Sequence, residues 1–412
     1  MILFSIAMWY SLLLPFERYT LSTISMWRWW GRPSEPPPPR YGYFLHITDF
    51  HVDEAYLPGA TLESDCHRPP LQRTSSSPVA GRLGAPGYRC DSPIELVQQT
   101  LNWIKKEWRH QLDFVVWTGN NDVHPHNTLG DDHGLLSFYS QLWHPWIPSD
   151  QQSTFQAGGY FAVDLGRRLR ALSLNTMYFY IKNDAVRGCH KPGIAQTQML
   201  WLEQQLTKAR NENVKVYVMG HVPPSPRDFR SSCFHDYTRL SAEFANVIHG
   251  HFYGHLNMDH FLMYDGGDMA ITRNIDKYVD WLRDMYSSLD PPSVKAELPL
   301  VVIQVAPSVL PVYLPAIRIY QYEINDNDDR GKMPHGTLLG YKQYFANISQ
   351  YQDAPLAYEL EYDTKEAYGL HDLTVESYYQ LAKDMMEESG KKLWDTFVEN
   401  MFVQTMDSDE LA

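Results

Sequence analysis

Side chains that can bind metal ions stand directly after several apolar segments of the chain. They are Asp49, His51, Asn120, His221 and His255. Their carboxylate, imidazole and amide groups form a mixed donor set, which suits zinc, manganese or iron better than calcium. Two ions held by such groups can polarise a phosphoryl oxygen and lower the pKa of a bound water, which then attacks phosphorus. The residue types therefore predict hydrolysis of a phosphoester or a phosphoanhydride.

The elements that must position these residues alternate between apolar strands and amphipathic helices. Strands are predicted at 43–48, 112–117, 169–174, 214–219, 247–253, 300–305 and 317–322. One helix is predicted to begin at Ser92, which has the capping-box form with Glu95, and to run to Trp108; a second covers 196–210. Ligand sites in open α/β folds form beyond the carboxyl ends of strands, so residues distant in sequence can converge there. The pattern predicts an α/β fold.

Length, composition and charge exclude several classes of protein. The 412 residues suffice for one large α/β domain or two smaller ones, and a hydrophobic content of 44% excludes disorder of the whole chain. The 35 Lys and Arg against 49 Asp and Glu give a net charge of −14, without a block of basic residues. The chain is therefore not expected to bind nucleic acid. An anionic substrate would need a local source of positive charge, such as metal ions.

The chain is expected to begin with a leader. An apolar stretch at 1–16 has the length of a signal sequence, and the tryptophans beyond it also suit an uncleaved signal anchor. A buried N-terminal helix is the alternative. A stiff proline-rich linker follows at 33–39. The expected parts are a leader and linker at 1–40, a main domain at 41–325 and a C-terminal extension at 326–412, whose helices at 375–385 and 393–402 form a small cap.

The four cysteines, Cys66, Cys90, Cys189 and Cys233, lack the CxxC spacing of a zinc ribbon or a redox pair. Two disulfides formed in an oxidising compartment fit better, and nearness in sequence favours Cys66 with Cys90 and Cys189 with Cys233. Free buried thiols are the alternative. Asn347 begins the one Asn-x-Ser/Thr triplet with a permissible middle residue, so it is a glycosylation site if the chain enters the secretory route.

Four short motifs occur in this order along the chain: Asp49-Phe50-His51, Gly119-Asn120-Asn121-Asp122, Gly220-His221 and Gly254-His255-Leu256-Asn257. This ordered set resembles the motifs of the calcineurin-like metallophosphoesterases. Within that superfamily the chain is similar to the acid sphingomyelinase branch. The sequence motifs at 120–127 and 254–261 resemble those of the fungal endopolyphosphatases more than those of the sphingomyelinases. The resemblance covers about 41–410. It implies a metallophosphoesterase-type β-sandwich flanked by helices, and hydrolysis of internal phosphoanhydride bonds of inorganic polyphosphate.

The same resemblance implies a site for two divalent ions, with zinc, manganese, cobalt and magnesium as the candidates. Asp49 and His51 would hold the first ion, and the second would be held by Asn120, His221 and His255. Asn257 stands where the superfamily has a second histidine, so its amide oxygen or a water would complete the coordination of the first ion. Structural hydrogen bonding is the expected role of the neighbouring His249, His251 and His260.

The segment after Trp117 departs from the superfamily pattern. In the superfamily, a Gly-Asp-Asn motif follows the strand that corresponds to 112–117, and its aspartate bridges both ions. The motif that contains the metal-binding asparagine comes only later, after a further helix and strand. In this chain Gly119 and Asn120 join the two motifs directly. A parallel crossover needs a dozen or more residues. We therefore expect a segment, and the bridging carboxylate with it, to be absent between Gly119 and Asn120.

The group expected to transfer a proton also differs. The superfamily histidine that follows the metal-binding asparagine is Asn121 here, and an amide has no useful proton to donate to a leaving oxygen. A polyphosphate leaving group tolerates this loss, because its oxyanion is much less basic than an alkoxide. His126, or His124 beside it, is the candidate that could assist.

The resemblance and the residues together favour a metal-dependent endopolyphosphatase, impaired here if the bridging carboxylate is absent. One alternative is a phosphodiesterase like the acid sphingomyelinases, and another is a catalytically inactive relative that keeps the fold. The resemblance implies residence in the vacuolar lumen behind a single N-terminal membrane anchor, if that anchor is uncleaved. Secretion is the alternative, and no oligomeric state is predicted.

Overall fold

The fold is described from a computed structural model. It describes residues 41–70, 78–119, 123, 127–130, 133–166, 168–264, 277–289, 300–325, 333–351 and 353–406. The expected leader and linker at 1–40 lie outside the described residues, and so do Asn120, Asn121 and His126.

Strands and helices alternate along most of the described chain. The strands are β1 (Tyr41–Ile47), β2 (Val52–Asp53), β3 (Ser92–Pro93), β4 (Phe114–Trp117), β5 (Phe161–Asp164), β6 (Leu169–Ser173), β7 (Lys215–Met219), β8 (Ile248–Tyr253), β9 (His260–Tyr264), β10 (Val301–Val305), β11 (Ala316–Glu323), β12 (Leu338–Phe345) and β13 (Glu359–Asp363). The helices are α1 (Ile94–Glu107), α2 (His133–Trp143), α3 (Gln152–Gly158), α4 (Ile194–Glu212), α5 (Ser231–Glu243), α6 (Tyr278–Ser288), α7 (Thr364–Tyr368), α8 (Val375–Met386) and α9 (Lys391–Met401). The predicted strands and the four predicted helices are confirmed, with ends that differ by at most two residues.

Most of the strands form two sheets. The first has the order β13-β12-β11-β1-β4, and the second has the order β5-β6-β7-β8-β10-β9. In the first sheet, β1 pairs with β4 in parallel and with β11 antiparallel. In the second sheet, β6, β7, β8 and β10 are parallel neighbours in that order. The parallel strands of each sheet therefore present their carboxyl ends on one edge, where the predicted ligands follow them.

The two sheets pack face to face through aromatic side chains. Phe44 of β1 stacks on Tyr320 of β11 with ring centroids 4.9 Å apart, and its ring meets the edge of Phe252 in the second sheet at 5.4 Å. The Tyr320 hydroxyl donates to Gln304 Oε1 of β10 at 2.9 Å. Offset and edge-on ring pairs of this kind stabilise a core beyond the apolar area they bury. The arrangement confirms the expected β-sandwich in an α/β fold.

Helix α1 covers the outer face of the first sheet. Its buried side chains include Leu96, Leu101 and Ile104, which pack in one cluster with Leu45 of β1. The prediction that Ser92 caps this helix is wrong. Pro93 holds the cap position without a side-chain hydrogen bond, because Ser92 pairs with Val52 as part of β3.

The C-terminal part contributes strands as well as helices. The boundary expected at residue 325 falls between β11 and β12, which are paired neighbours in the first sheet. Helix α8 packs against α6 and β10, and α9 packs against α8. In the described part of the chain, no helix is both long enough and apolar enough to cross a membrane.

A buried ion pair links this C-terminal part to the sandwich. Arg318 of β11 and Asp259 are both almost fully buried, and the guanidinium donates to the Asp259 carboxylate. The Tyr362 hydroxyl of β13 donates to the other carboxylate oxygen, and Gln343 Oε1 accepts from Arg318 Nε at 2.8 Å. Burial opposes the charge on Arg318, but the nearby Asp259 raises the pKa of its guanidinium well above the ordinary value. Asp259, which belongs to the motif after His255, is therefore a core residue.

A carboxyl group beside this pair predicts how stability depends on pH. Burial raises the pKa of Glu361 from 4.5 to about 8, although Gln343 Nε2 donates to it at 2.8 Å. Between pH 4.5 and pH 8 the folded chain holds this proton while the unfolded chain releases it, so the free energy of unfolding should fall as the pH rises through this window. We expect Glu361→Gln to flatten that decline in urea unfolding measured from pH 4 to pH 9. Glu359→Gln, at an exposed position on the same strand, is the control, and an unchanged slope in Glu361→Gln would contradict the assignment.

Candidate metal site

Asp49 lies in a tight turn at the carboxyl end of β1. It is 1% exposed, and both Asp49 and His51 have left-handed backbone conformations, with φ of 49° and 42°. Such conformations cost energy in residues other than glycine and cluster at functional sites. The Asp49 N–H donates to the Gly119 carbonyl at 3.1 Å, and the Asp49 carbonyl accepts from the Leu310 N–H at 2.8 Å. These bonds hold the Asp49 carboxylate in place beyond the sheet edge.

Two glycine-histidine turns bring His221 and His255 to the same edge. His221 follows β7, and His255 follows β8 with a left-handed φ of 71°. The His255 N–H donates to Asp49 Oδ2 at 2.8 Å. Thr176 holds the other turn, because its hydroxyl accepts from the N–H groups of His221 and Val222 at 3.1 and 2.8 Å. Residues from three parts of the chain thus converge as the strand ends predicted.

Neighbouring ligand atoms of the candidate site lie at distances found between two ligands of one metal ion, and they form a chain of close pairs. Asp49 Oδ1 lies 3.3 Å from His51 Nε2 and 3.6 Å from His221 Nε2, and His221 Nε2 lies 3.2 Å from His255 Nδ1. Ligand atoms at ~2.0–2.1 Å from a tetrahedral zinc ion stand about 3.3 Å apart. The Asp49 carboxylate therefore lies between His51 on one side and the His221–His255 pair on the other.

The protonation states of these groups favour cation binding. Burial would raise the pKa of Asp49, but the His221 and His51 imidazoles and the His255 N–H lower it below its ordinary value. Burial and the neighbouring His221 lower the pKa of His255 well below its ordinary value. An ionised carboxylate and a neutral imidazole are the forms that bind metal.

The ring nitrogens of His51 and His255 that face away from the site each have a neighbouring polar group that orients the imidazole. Asp91 Oδ1 lies 3.8 Å from His51 Nδ1, so the opposite nitrogen of that ring faces Asp49. The Tyr180 hydroxyl lies 3.2 Å from His255 Nε2, which leaves His255 Nδ1 facing His221. Partners of this kind fix the ring orientation of metal-binding histidines. The supporting roles of Asp91, Tyr180 and Thr176 were not predicted from the sequence, because none of them belongs to a recognisable motif.

Asn257 is placed to accept a further bond. It has a left-handed φ of 59°, and its Oδ1 is buried without a hydrogen-bond partner among the described residues. An unpaired buried amide oxygen is costly unless a cation or a donor meets it. The expected role of Asn257 as a ligand stays a prediction. The roles of Asn120, Asn121 and His126 lie outside the described residues and also stay predictions.

Two of the three neighbouring histidines, His251 and His260, make the structural bonds expected of them. His251 Nδ1 lies 2.7 Å from the Tyr237 hydroxyl, and His260 Nε2 lies 2.8 Å from the Tyr278 hydroxyl. Burial lowers the pKa of both imidazoles to about 3 and that of His249 to about 4. These rings are therefore neutral core groups outside the candidate site.

Both disulfides favoured by sequence proximity form, Cys66–Cys90 and Cys189–Cys233. The first closes the loop between β2 and β3, and the second ties the segment before α4 to α5. Asn347 is partly exposed on the turn after β12, where its Oδ1 accepts from the Ser349 hydroxyl at 2.6 Å. Glycosylation of Asn347 stays a prediction.

Gly254 is needed for the approach of His255 to Asp49. A Cβ at this position would lie 2.7 Å from Asp49 Oδ2 and would clash with the Thr48 hydroxyl. We expect Gly254→Ala to reduce the rate of the phosphoester or phosphoanhydride hydrolysis predicted from the sequence about 100-fold, since a shift of about 1 Å at a reacting centre has that effect. The same change should lower the free energy of unfolding by about 1–3 kcal/mol, because the added methyl group overpacks the turn. Gly166→Ala, where a Cβ would meet nothing within 4 Å, is the matched control. Full activity with an unchanged urea midpoint in Gly254→Ala would contradict this packing.

Comparisons with known proteins test the resemblance to the acid sphingomyelinase branch and to the fungal endopolyphosphatases. A family model for the acid sphingomyelin phosphodiesterase C-terminal region matches residues 299–410. The chain is 28% identical to an endopolyphosphatase of Schizosaccharomyces pombe, over 84% of this chain and 83% of that protein. It is also 28% identical to an endopolyphosphatase of Cryptococcus neoformans, over 72% of this chain and 60% of that protein, so it spans less than two thirds of that relative. The resemblance to the fungal endopolyphosphatases is confirmed.

A solved structure of a dimetal phosphatase from Danio rerio is similar to the chain at a low level. It shares 10% of its sequence with this chain at a TM-score of 0.34, covering 68% of this chain and 95% of that one. At this level of similarity no property of that protein is transferred to this chain.

Proposed function

We propose that this chain is a metal-dependent hydrolase that cuts internal phosphoanhydride bonds of inorganic polyphosphate. The observation that carries the proposal is the position of the Asp49 carboxylate between His51 and the His221–His255 pair, beyond the carboxyl ends of β1, β7 and β8, with neighbouring ligand atoms 3.2–3.6 Å apart. The names of the fungal relatives supply the substrate class.

The residues at this edge fit divalent ions. Asp49, His51 and Asn257 would hold one ion, and His221, His255 and Asn120 the other. Bound divalent ions supply Lewis-acid stabilisation of phosphoryl oxygens and a nucleophilic water. Neighbouring donor atoms lie 3.2–3.6 Å apart, and the buried Asn257 Oδ1, which has no hydrogen-bond partner among the described residues, is free to accept a cation.

The expected absence of a bridging carboxylate bears on the rate of the proposed reaction. The alignment with the Schizosaccharomyces pombe relative extends over 484 positions, more than the 412 residues of this chain, so that relative has residues without a counterpart here. A segment absent after Gly119 would account for part of this difference in length. Asp49 Oδ1 faces both His51 and His221, so its charge is placed to act on both sides of the site. An impaired rate is the expected consequence of having one carboxylate fewer.

Positive charge beside the site suits a polyanionic substrate. The Lys182 ammonium lies 5.8 Å from the centre of the Tyr180 ring, and the Tyr180 hydroxyl contacts His255. Lys182 is exposed, so a phosphate chain can reach it. On a protein with a net charge of −14, this local charge can attract an anion that the average field repels.

Two disulfides and an accessible Asn347 support residence in an oxidising compartment. We infer the vacuolar lumen or the cell exterior, reached by the leader expected at 1–40. Measurement of glycosylation at Asn347 and fractionation of tagged full-length chain test this inference, and an unmodified chain found in the cytosol would contradict it.

One observation favours a second candidate function. The match of residues 299–410 to the acid sphingomyelin phosphodiesterase C-terminal region is compatible with a phosphodiester substrate. The purified full chain should be assayed on long-chain polyphosphate and on sphingomyelin, with Mn, Zn, Co or Mg added. We expect hydrolysis of polyphosphate alone, lost in His221→Ala and kept in His144→Ala, a change of an exposed histidine. Hydrolysis of sphingomyelin alone would favour the second candidate, and a folded chain inactive on both would be an inactive relative.

A further inference from the structure

A second group of metal-ligand side chains lies on the surface beside the Cys189–Cys233 disulfide. His190 follows Cys189, and His235 and Asp236 lie on α5 just after Cys233. Their ligand atoms all lie within 4.8 Å of one another, a property that no other trio of histidine, cysteine or acidic residues shares within the described ranges. The group has no residue in common with the site around Asp49.

The spacing of these atoms suits one ion. His190 Nε2 lies 3.3 and 3.4 Å from the two Asp236 carboxylate oxygens, and His235 Nδ1 lies 3.7 Å from Asp236 Oδ1. Donors bound to a tetrahedral zinc ion stand about 3.3 Å apart, so small side-chain rotations would bring three ligands onto one ion. The exposed side chains of His190 and His235 leave room for a water as the fourth ligand.

The backbone on both sides of this group is already fixed. Besides the disulfide, the Cys189 N–H donates to the Ser232 hydroxyl at 3.0 Å. Gly188 has a φ of 87°, and a Cβ there would lie 2.7 Å from that hydroxyl, so the two segments touch closely. Because the disulfide and these contacts hold the ligands together before an ion arrives, binding costs little additional ordering of the chain.

From this geometry we propose that His190, His235 and Asp236 bind one zinc-type divalent ion, which joins the segment before α4 to α5 and stabilises the fold. Two imidazole nitrogens and one carboxylate oxygen form a donor set typical of zinc. The ion would strengthen the same connection as the disulfide. Helix α5 begins ten residues after His221, so this connection also anchors the segment that leads from the candidate active site.

Zinc content of the purified full chain tests the proposal directly. After loading with zinc and desalting, we expect His190→Ala and His235→Ala each to retain about one zinc per chain fewer than the wild type. His110→Ala, a change of an exposed histidine shortly after α1, should retain the wild-type amount. Zinc should also raise the thermal unfolding midpoint of the wild type more than that of either variant, because an ion bound to the native state stabilises it.

Two further variants separate this site from the candidate active site. His221→Ala should lose zinc from the Asp49 site but keep the zinc held by His235, so the double variant His221→Ala/His235→Ala should lose more zinc than either single change. Asp236→Asn keeps the side-chain shape and tests the site if an alanine variant fails to fold. Wild-type zinc content and an equal midpoint shift in His190→Ala, His235→Ala and Asp236→Asn would overturn the proposal, whatever the activity on polyphosphate.

Discussion

Asp49→Asn is expected to reduce hydrolysis of long-chain polyphosphate by at least about 1000-fold, because stabilisation by bound metal contributes several kcal/mol to such a reaction. The amide has the size of the carboxylate and can still accept from the Thr48 hydroxyl and the His255 N–H, which bond to Asp49 Oδ2 at 2.8 Å. It brings no negative charge to hold cations. Initial rates with added divalent metal, beside metal content after desalting, measure the effect.

Asp53→Asn is the control for this substitution. Asp53 lies on β2 and pairs with His67 at 2.7 Å, so its change removes a carboxylate close in sequence but outside the candidate site. Its rate should stay within about twofold of the wild type, since the partner His67 is exposed and an ion pair at the protein surface contributes little. If Asp49→Asn keeps the wild-type rate and metal content, the site around Asp49 is not the catalytic one.

Asp259→Asn is expected to lower the free energy of unfolding by about 3–5 kcal/mol, because it leaves the buried Arg318 charge without its partner. Arg318 is 1% exposed, and its guanidinium also stacks 4.5 Å from the centre of the Tyr341 ring. The Asp259 N–H donates to the Met401 carbonyl at 2.9 Å, so loosening this residue also affects α9. Urea unfolding at constant pH measures the loss.

Asp280→Asn, at an exposed position on α6, should change the free energy of unfolding by no more than about 0.5 kcal/mol. Metal content distinguishes the structural role of Asp259 from a ligand role. Folded Asp259→Asn should retain as much metal as the wild type. A loss of metal without a loss of stability would mean that Asp259 belongs to the metal site.

The sequence predicted the parts of the fold and site that follow from periodicity and strand ends. Asp49, His221 and His255 converge because each follows a strand whose carboxyl end lies at the same edge. The residues that support them could not be predicted this way. Asp91 and Thr176 reach the site from turns, where side-chain contacts depend on tertiary packing and leave no periodic signal.

Two other differences between the predicted and the observed structure also arise from tertiary packing. The Ser92 cap prediction rested on a local preference, and a tertiary strand pairing with Val52 took precedence over it. The expected C-terminal extension contains β12, which pairs with β11 of the main domain, and β13, which pairs with β12. Local sequence patterns do not encode such distant pairings.

Gel analysis of product lengths tests the proposed endopolyphosphatase activity most directly. The purified full chain is incubated with long-chain polyphosphate and divalent metal, and the chain lengths are followed over time beside His221→Ala and a chelator-treated sample. We expect intermediate lengths to appear before orthophosphate in the wild type alone. No shortening by a folded, metal-loaded wild type, or equal shortening by His221→Ala, would contradict the assignment of this reaction to the site around Asp49.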